Sequence, residues 1–163
     1  MKGHEGQGRS GEDRLIHEHL HDPYRRRKKP HDPACCPQCS AVFQEGRWRW
    51  GAPPAGGHEE LCPACQRQKD GLAAGNVILK GEFQESHRDE IIGLVKNEEA
   101  REKEEHPLNR IMKIEENGKM LVVQTTDIHL PRRIGVALHN AWGGELDLQY
   151  EEEEYFIRVT WQR

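Results

Sequence analysis

The sequence predicts an α+β protein in three parts: a disordered tail over residues 1–33, a small metal-held module over 34–71, and a sheet-and-helix domain over 72–163. Three observations carry this division. Four of the five cysteines fall in two Cys-x-x-Cys pairs, Cys36-Pro-Gln-Cys39 and Cys62-Pro-Ala-Cys65. Hydrophobic residues make up 34% and charged residues 32% of the 163, too polar a mixture for one large continuous core. Beyond residue 72, apolar residues alternate between a period of two and a helical period, in the order β-α-β-β-α-β-β.

The first 33 residues carry few apolar side chains and no sustained periodicity, the composition of a chain that stays disordered when free. Five of the ten histidines are here: His4, His17, His19, His21 and His31. Such a tract either scavenges transition metals or is a solvated polar tail with no fixed geometry among its rings. Arg25-Arg26-Arg27-Lys28-Lys29 comes next. Five consecutive cations either attract phosphate through counterion release or serve as a solubilising run.

The middle part reads as a zinc ribbon. Two thiolates three residues apart on a tight turn grip a metal from one side, and a second pair returned by a loop completes a tetrahedron with Zn–S distances of about 2.3 Å. The 22-residue spacer slightly exceeds the ~15–20 residues of such sites, and Gly51-Ala-Pro-Pro-Ala-Gly-Gly57 accounts for the excess. The expected cofactor is one structural Zn2+ on Cys36, Cys39, Cys62 and Cys65; two disulfides are the alternative. Four thiolates leave no open position for water, so the metal reads as structural rather than catalytic. Cys35 is a free thiol or an alternative ligand. Between the pairs, Val42 to Trp50 alternates around a turn signal at Glu45-Gly46, a hairpin pattern. On a strand, Arg47 and Arg49 share one face and Trp48 and Trp50 the other. Arginines there pair with phosphates and tryptophans stack on bases; alternatively the tryptophans cover the metal knuckles or dock onto the next domain. Gln66 to Gly71 is polar and leads into a linker.

In the third part, Val77, Leu79 and Phe83 define a strand. Ser86, with Asp89 three residues on, marks a helix start, and Ile91, Ile92, Leu94 and Val95 give that helix its apolar stripe. Its Glu-rich end, before Pro107, reads as solvated. Asn117-Gly118 signals a hairpin between strands carrying Ile111, Met112 and Ile114, then Leu121, Val122 and Val123. Asp127 caps a second helix with Leu130, Ile134, Ala137, Leu138 and Ala141 at helical spacing, ended by Gly143-Gly144. Strands Glu145–Tyr150 and Tyr155–Trp161 follow, with Glu151 to Glu154 left in water between them. The first six elements match a ferredoxin-like, split β-α-β layout, with an extra terminal strand lengthening the sheet.

The local pattern of Leu61-Cys-Pro-Ala-Cys65, the strand at Val77–Phe83 and His87-Arg-Asp-Glu-Ile-Ile92 resembles the zinc-ribbon N-terminal region of the archaeal and eukaryotic large-ribosomal-subunit export adaptor family. It is also similar to small uncharacterised bacterial zinc-ribbon proteins of this length. The resemblance spans roughly residues 34–142, and the four cysteines are its specific part. The adaptor carries further zinc knuckles and later domains that these residues do not match. What the resemblance implies is association with RNA or a ribosomal particle.

The sequence shows no nucleophile elbow, no Walker motif and no glycine-rich dinucleotide turn, so no enzyme is expected. No segment approaches the ~18 apolar residues of a membrane span, and the first residues lack a signal-peptide core; a cytoplasmic location fits this and the cysteine usage. The formal net charge of −4 is uneven: residues 1–33 carry a surplus of two positive charges, and residues 72–163 a surplus of six negative ones. Any contact with a polyanion must come from local patches. One more patch is Thr125-Thr126-Asp127-Ile-His129-Leu-Pro-Arg132-Arg133, where a helix N-terminus with His129, Arg132 and Arg133 forms a possible phosphate site. The alternative is that Asp127 caps the helix and the arginines pair with nearby glutamates. Two functions follow: a non-catalytic zinc-ribbon protein binding RNA or a ribosomal surface through residues 25–29 and 47–50, or a protein–protein adaptor acting through the acidic C-terminal domain.

Overall fold

The computed structural model describes residues 22–26 and 29–163. The histidines at positions 4, 17, 19 and 21, together with Arg27 and Lys28, lie outside the described residues. Residues 22–26 and 29–33, expected within the tail, are among the described ones. A short helix, α1 (Pro23–Arg26), precedes the cysteine module, and Tyr24 Oη donates to Asp70 at 2.9 Å.

The module is a four-stranded sheet with a helix against it. Strand β1 (Ala34–Cys35) runs into the first Cys-x-x-Cys turn, where Ser40 takes a left-handed φ of 67° and donates its N–H to Cys36 O. That turn sends the chain back as β2 (Val42–Gln44), antiparallel to β1. Strand β3 (Arg47–Arg49) pairs with β2 through the expected hairpin, and Glu45 and Gly46 both adopt positive φ, as a two-residue I′ turn requires. Strand β4 (His58–Glu59) then adds parallel to β1. The polar segment after the second cysteine pair, given no element from the sequence, belongs to helix α2 (Pro63–Asp70). Pro63 sits in the first turn, where its missing N–H costs nothing, and Gly71 closes the helix at φ 68°. The second cysteine pair therefore rides on a helix start rather than on a β-turn.

The larger sheet has the order β6-β7-β5-β9-β8. Its strands are β5 (Gly75–Lys80), β6 (Ile111–Asn117), β7 (Met120–Thr125), β8 (Glu145–Tyr150) and β9 (Ile157–Gln162). The expected order of elements is present, and the terminal strand lengthens the sheet by insertion. β9 lies parallel to β5 and antiparallel to β8, wedging between the two halves. Its inward residues explain the central place: Ile157, Val159 and Trp161 are each fully buried. That row packs against the helical layer, which covers the middle of the sheet better than its edges.

Several boundaries differ from expectation. β5 stops at Lys80, because Gly81 takes φ 106°, and Phe83 belongs to a short helix, α3 (Glu82–Ser86). Ser86 is no cap; its hydroxyl donates back to Glu82 O and Phe83 O, and the long helix α4 (Arg88–Glu105) begins after a break at His87. The β6–β7 hairpin forms, but its loop is Gly118-Lys119, with positive φ at Gly118 alone, the II′ pattern. Helix α5 (His129–Trp142) is as expected. Helices α4 and α5 pack together against the sheet, and their Ile91, Val95, Leu130, Ile134 and Leu138 join Val77, Leu79, Leu121, Val123 and Val159 in one core.

Candidate metal centre and cleft

The four cysteines of the two pairs come together. Their sulfurs all lie within 4.8 Å of one another, and Cys39 Sγ is 3.7 Å from Cys62 Sγ. A tetrahedron with Zn–S bonds of about 2.3 Å has edges of about 3.8 Å, so the donor set matches zinc in number, type and spacing. All five cysteines are free thiols, which removes the disulfide alternative. Cys35 is held in β1 opposite Val42 and stands outside the cluster. The residues present fit one structural Zn2+. Among the described residues, no helix is long and apolar enough to cross a membrane.

Local backbone donors orient the sulfurs. Cys36 Sγ accepts from Cys62 N–H at 3.3 Å, and Cys62 Sγ accepts from Cys65 N–H at 3.4 Å. The second of these makes Cys62 the N-cap of α2, so the positive end of that helix faces the thiolates. A residue from far along the chain completes the shell. Arg110, only 6% exposed, directs Nη2 at Cys62 Sγ (3.2 Å), Cys65 Sγ (3.4 Å) and Cys39 Sγ (3.6 Å). Burial works against its charge, yet the surrounding sulfurs outweigh burial and its pKa is raised. Among the sulfurs themselves, the hydrogen bond from Cys62 pushes the Cys39 thiol down to about 4, and the same bond with burial pushes Cys62 up. Leu108 packs into the apolar shell of the cysteines, with Leu61 and Trp48 beside it.

Arg110 is held in place by the Thr125-Thr126-Asp127 segment. Thr126 Oγ1 donates to Leu108 O at 2.6 Å and accepts from Arg110 N–H at 3.0 Å, while Thr126 N–H donates to Arg110 O at 2.9 Å. Asp127 Oδ2 accepts from His129 N–H (2.8 Å) and Leu130 N–H (3.0 Å). The first free N–H groups of α5 are therefore taken by a carboxylate, and Pro131 supplies none. Arg133 Nε pairs with Glu102 Oε2 at 3.0 Å. Glu102, expected on a solvated helix end, is only 6% exposed and also accepts from Asn109 Nδ2 at 3.0 Å.

Of the cationic residues singled out in the sequence, those whose side chains are described converge nonetheless. A cleft of about 1600 Å³ lies between the cysteine module and the larger domain. Arg25 and Lys29, then Arg47, Trp48 and Arg49, then His129, Arg132 and Arg133, all line it, from three separate stretches of chain. His106 adds to this set; the acidic residues lining it are Glu60, Glu102 and Glu105. Glu102 is already engaged by Arg133, and Glu60 by His31. Trp50 does not line the cleft. Its indole N–H donates to Lys103 O at 2.6 Å, the docking role that its face of the hairpin also allowed.

Two buried arginines escaped the sequence. Arg110 carried no signal beyond its position before a strand. Arg67, 4% exposed, pairs with Asp22 at 2.9 Å, donates to Leu72 O at 3.1 Å and lies 4.3 Å from the Tyr24 ring centre, fixing the basic segment against α2. A cation three residues from the end of a polar helix gives no local hint of burial.

Compared with protein-family models, with curated proteins and with solved structures, the chain matches none. The resemblance to the export adaptor therefore rests on the cysteine motif, which supports a zinc site and stops there.

Proposed function

We propose that this small zinc-binding protein is a non-catalytic RNA-binding module that engages RNA, free or on a ribosomal surface, in the cleft between its two sheets. One observation carries the reading: cations from three distant stretches line a single groove in a chain whose formal net charge is −4. Clustering against the overall charge is what a local polyanion site requires. Trp48 lies in the same lining, half-buried and tilted against Phe43 at 5.4 Å between ring centres. A base stacked there gains contact without sequence preference. The zinc is structural in this reading: it shapes the hairpin that carries Arg47 and Arg49.

The test is anisotropy of a labelled mixed-sequence single-stranded RNA titrated with zinc-loaded protein at two salt concentrations. Binding weakens with salt; with about four phosphates neutralised, log K falls against log salt with a slope of about −3. No retention at low salt, together with no comigration with ribosomal particles, overturns the reading. The adaptor alternative draws on Glu151–Glu154, of which the last three are exposed. A protein that copurifies after nuclease treatment, and is lost when those glutamates are neutralised, would favour it instead.

A further inference from the structure

We infer that Arg110 couples the metal centre to the larger domain, so that zinc occupancy sets the geometry of the cleft. The premise is where this one guanidinium sits. It emerges from the loop before β6, which Thr126 pins to the larger sheet by three hydrogen bonds, and it ends among three sulfurs contributed by both cysteine pairs. Its Nε has no protein partner, so the side chain's hydrogen bonding is spent on the sulfurs. A buried guanidinium is stable only where acceptors of opposite charge surround it. Four thiolates around a divalent ion carry a formal charge of about −2, and Arg110 is the cation in contact with them.

The cleft shares this dependence. One wall is the cysteine module, with Trp48, Leu61 and Pro63; the other is the larger domain, with His106, Asn109 and Arg132. The two walls meet at Leu108 and Arg110, directly against the cysteines. Without a divalent ion, four thiolates gathered within 4.8 Å repel one another. The arginine then loses its acceptors, and the walls lose their common anchor. Arg110 is thus a positioning residue for the cleft, acting through the metal ligands. Its effect on nucleic acid rests on the RNA reading above; the coupling itself does not.

The experiment compares the full chain with Arg110→Ala and Arg110→Lys. Release of zinc to a chromogenic chelator is followed first. Arg110→Ala releases it about tenfold or more faster than the parent, the usual size of an outer-shell loss, and Arg110→Lys lies between the two. Amide hydrogen exchange is then measured on the parent before and after chelation. Exchange rises across residues 42–50 and 103–110 while β5, β7 and β9 stay protected. Equal release rates, or unchanged exchange at 103–110 after chelation, overturn the inference. The chelation arm needs no variant, so a variant that fails to fold leaves the decision standing. RNA binding that persists at full strength after chelation also overturns the gating while sparing the RNA reading; absence of RNA binding in the zinc-loaded parent removes that reading and leaves the exchange result to decide the coupling.

Discussion

Asp127 shows how one side chain is given two conflicting tasks. Its Oδ2 caps α5, but its Oδ1 is buried without a partner. Burial, reinforced by Glu102 and opposed by the Leu130 and His129 N–H groups, pushes its pKa from the ordinary 3.8 to about 7. The sign of the consequence follows from the raised value. Below pH 3.8 the carboxyl is protonated in both folded and unfolded chains. As pH rises the unfolded chain ionises first, so this group's contribution to stability is lost progressively until about pH 7. Asp127→Asn keeps an oxygen acceptor for both N–H groups and removes the ionisation. Urea midpoints measured from pH 4 to 8 are expected to fall less steeply for Asp127→Asn than for the parent; equal slopes would count against the buried carboxyl as the cause. Cys62 combines two tasks without conflict, because capping α2 and facing the metal both want a negative sulfur at a helix N-terminus.

At the level of elements, helix α5 shows how packing overrides propensity. Gly135 lies in its buried face, and a Cβ there would come within 2.7 Å of Val159 Cγ1 and 2.8 Å of Leu146 Cδ1. Gly93 in α4 has nothing within 4 Å of the same position. Alanine in a helix interior gains about 1 kcal/mol over glycine, whereas overpacking a filled site costs about 1–3 kcal/mol. Gly93→Ala should therefore raise stability by close to the full propensity gain, and Gly135→Ala should lower it, both read from urea denaturation. The hairpins tell a related story. Glu45-Gly46 and the Asn117-Gly118 region were both legible as turns, because two-residue loops need positive φ and glycine supplies it. The one-residue shift at the second hairpin came from the pairing of Asn117 with Met120, which a dipeptide alone does not encode. Helix α2 was missed for another reason: eight mostly polar residues show no apolar stripe, and the metal ligands at its start, not propensity, hold it in place.

At the level of the whole molecule, two cores of unequal kind share one boundary. The larger domain buries Trp161, Leu79, Ile91, Leu130 and Ile134 completely and has an apolar core of its own. The cysteine module buries the cysteines with Ala34, Ala41, Val42, Phe43 and Ala64, a small set, and borrows Leu108 from the larger domain. Its folding free energy is then largely metal binding. Cys36→Ser and Cys62→Ser are each expected to lower zinc content and to lose the module's structure by circular dichroism, while the larger sheet survives; unchanged zinc in both would remove the site. Trp48→Ala tests the cleft. Loss of one stacked base costs about 1–3 kcal/mol, so RNA affinity should fall about tenfold; zinc content is measured alongside, because Trp48 also packs on the cysteine cluster.

The sequence by itself determined the metal and the order of the main strands and helices in the larger domain. Cysteine spacing, alternation and glycine at turns are short-range patterns, and their physics is complete within a few residues of chain. What tertiary structure alone decided was the meaning of the charges. Nothing local distinguishes Arg110, buried among three sulfurs, from Arg49, exposed on a hairpin, or Glu102, bridging Asn109 and Arg133, from its solvated neighbours. A charged side chain's role depends on which partner long-range folding brings opposite it. Here the insertion of β9, the pinning of the Leu108–Arg110 loop by Thr126 and the docking of Arg67 on Asp22 brought distant cations to one cleft beside one metal centre.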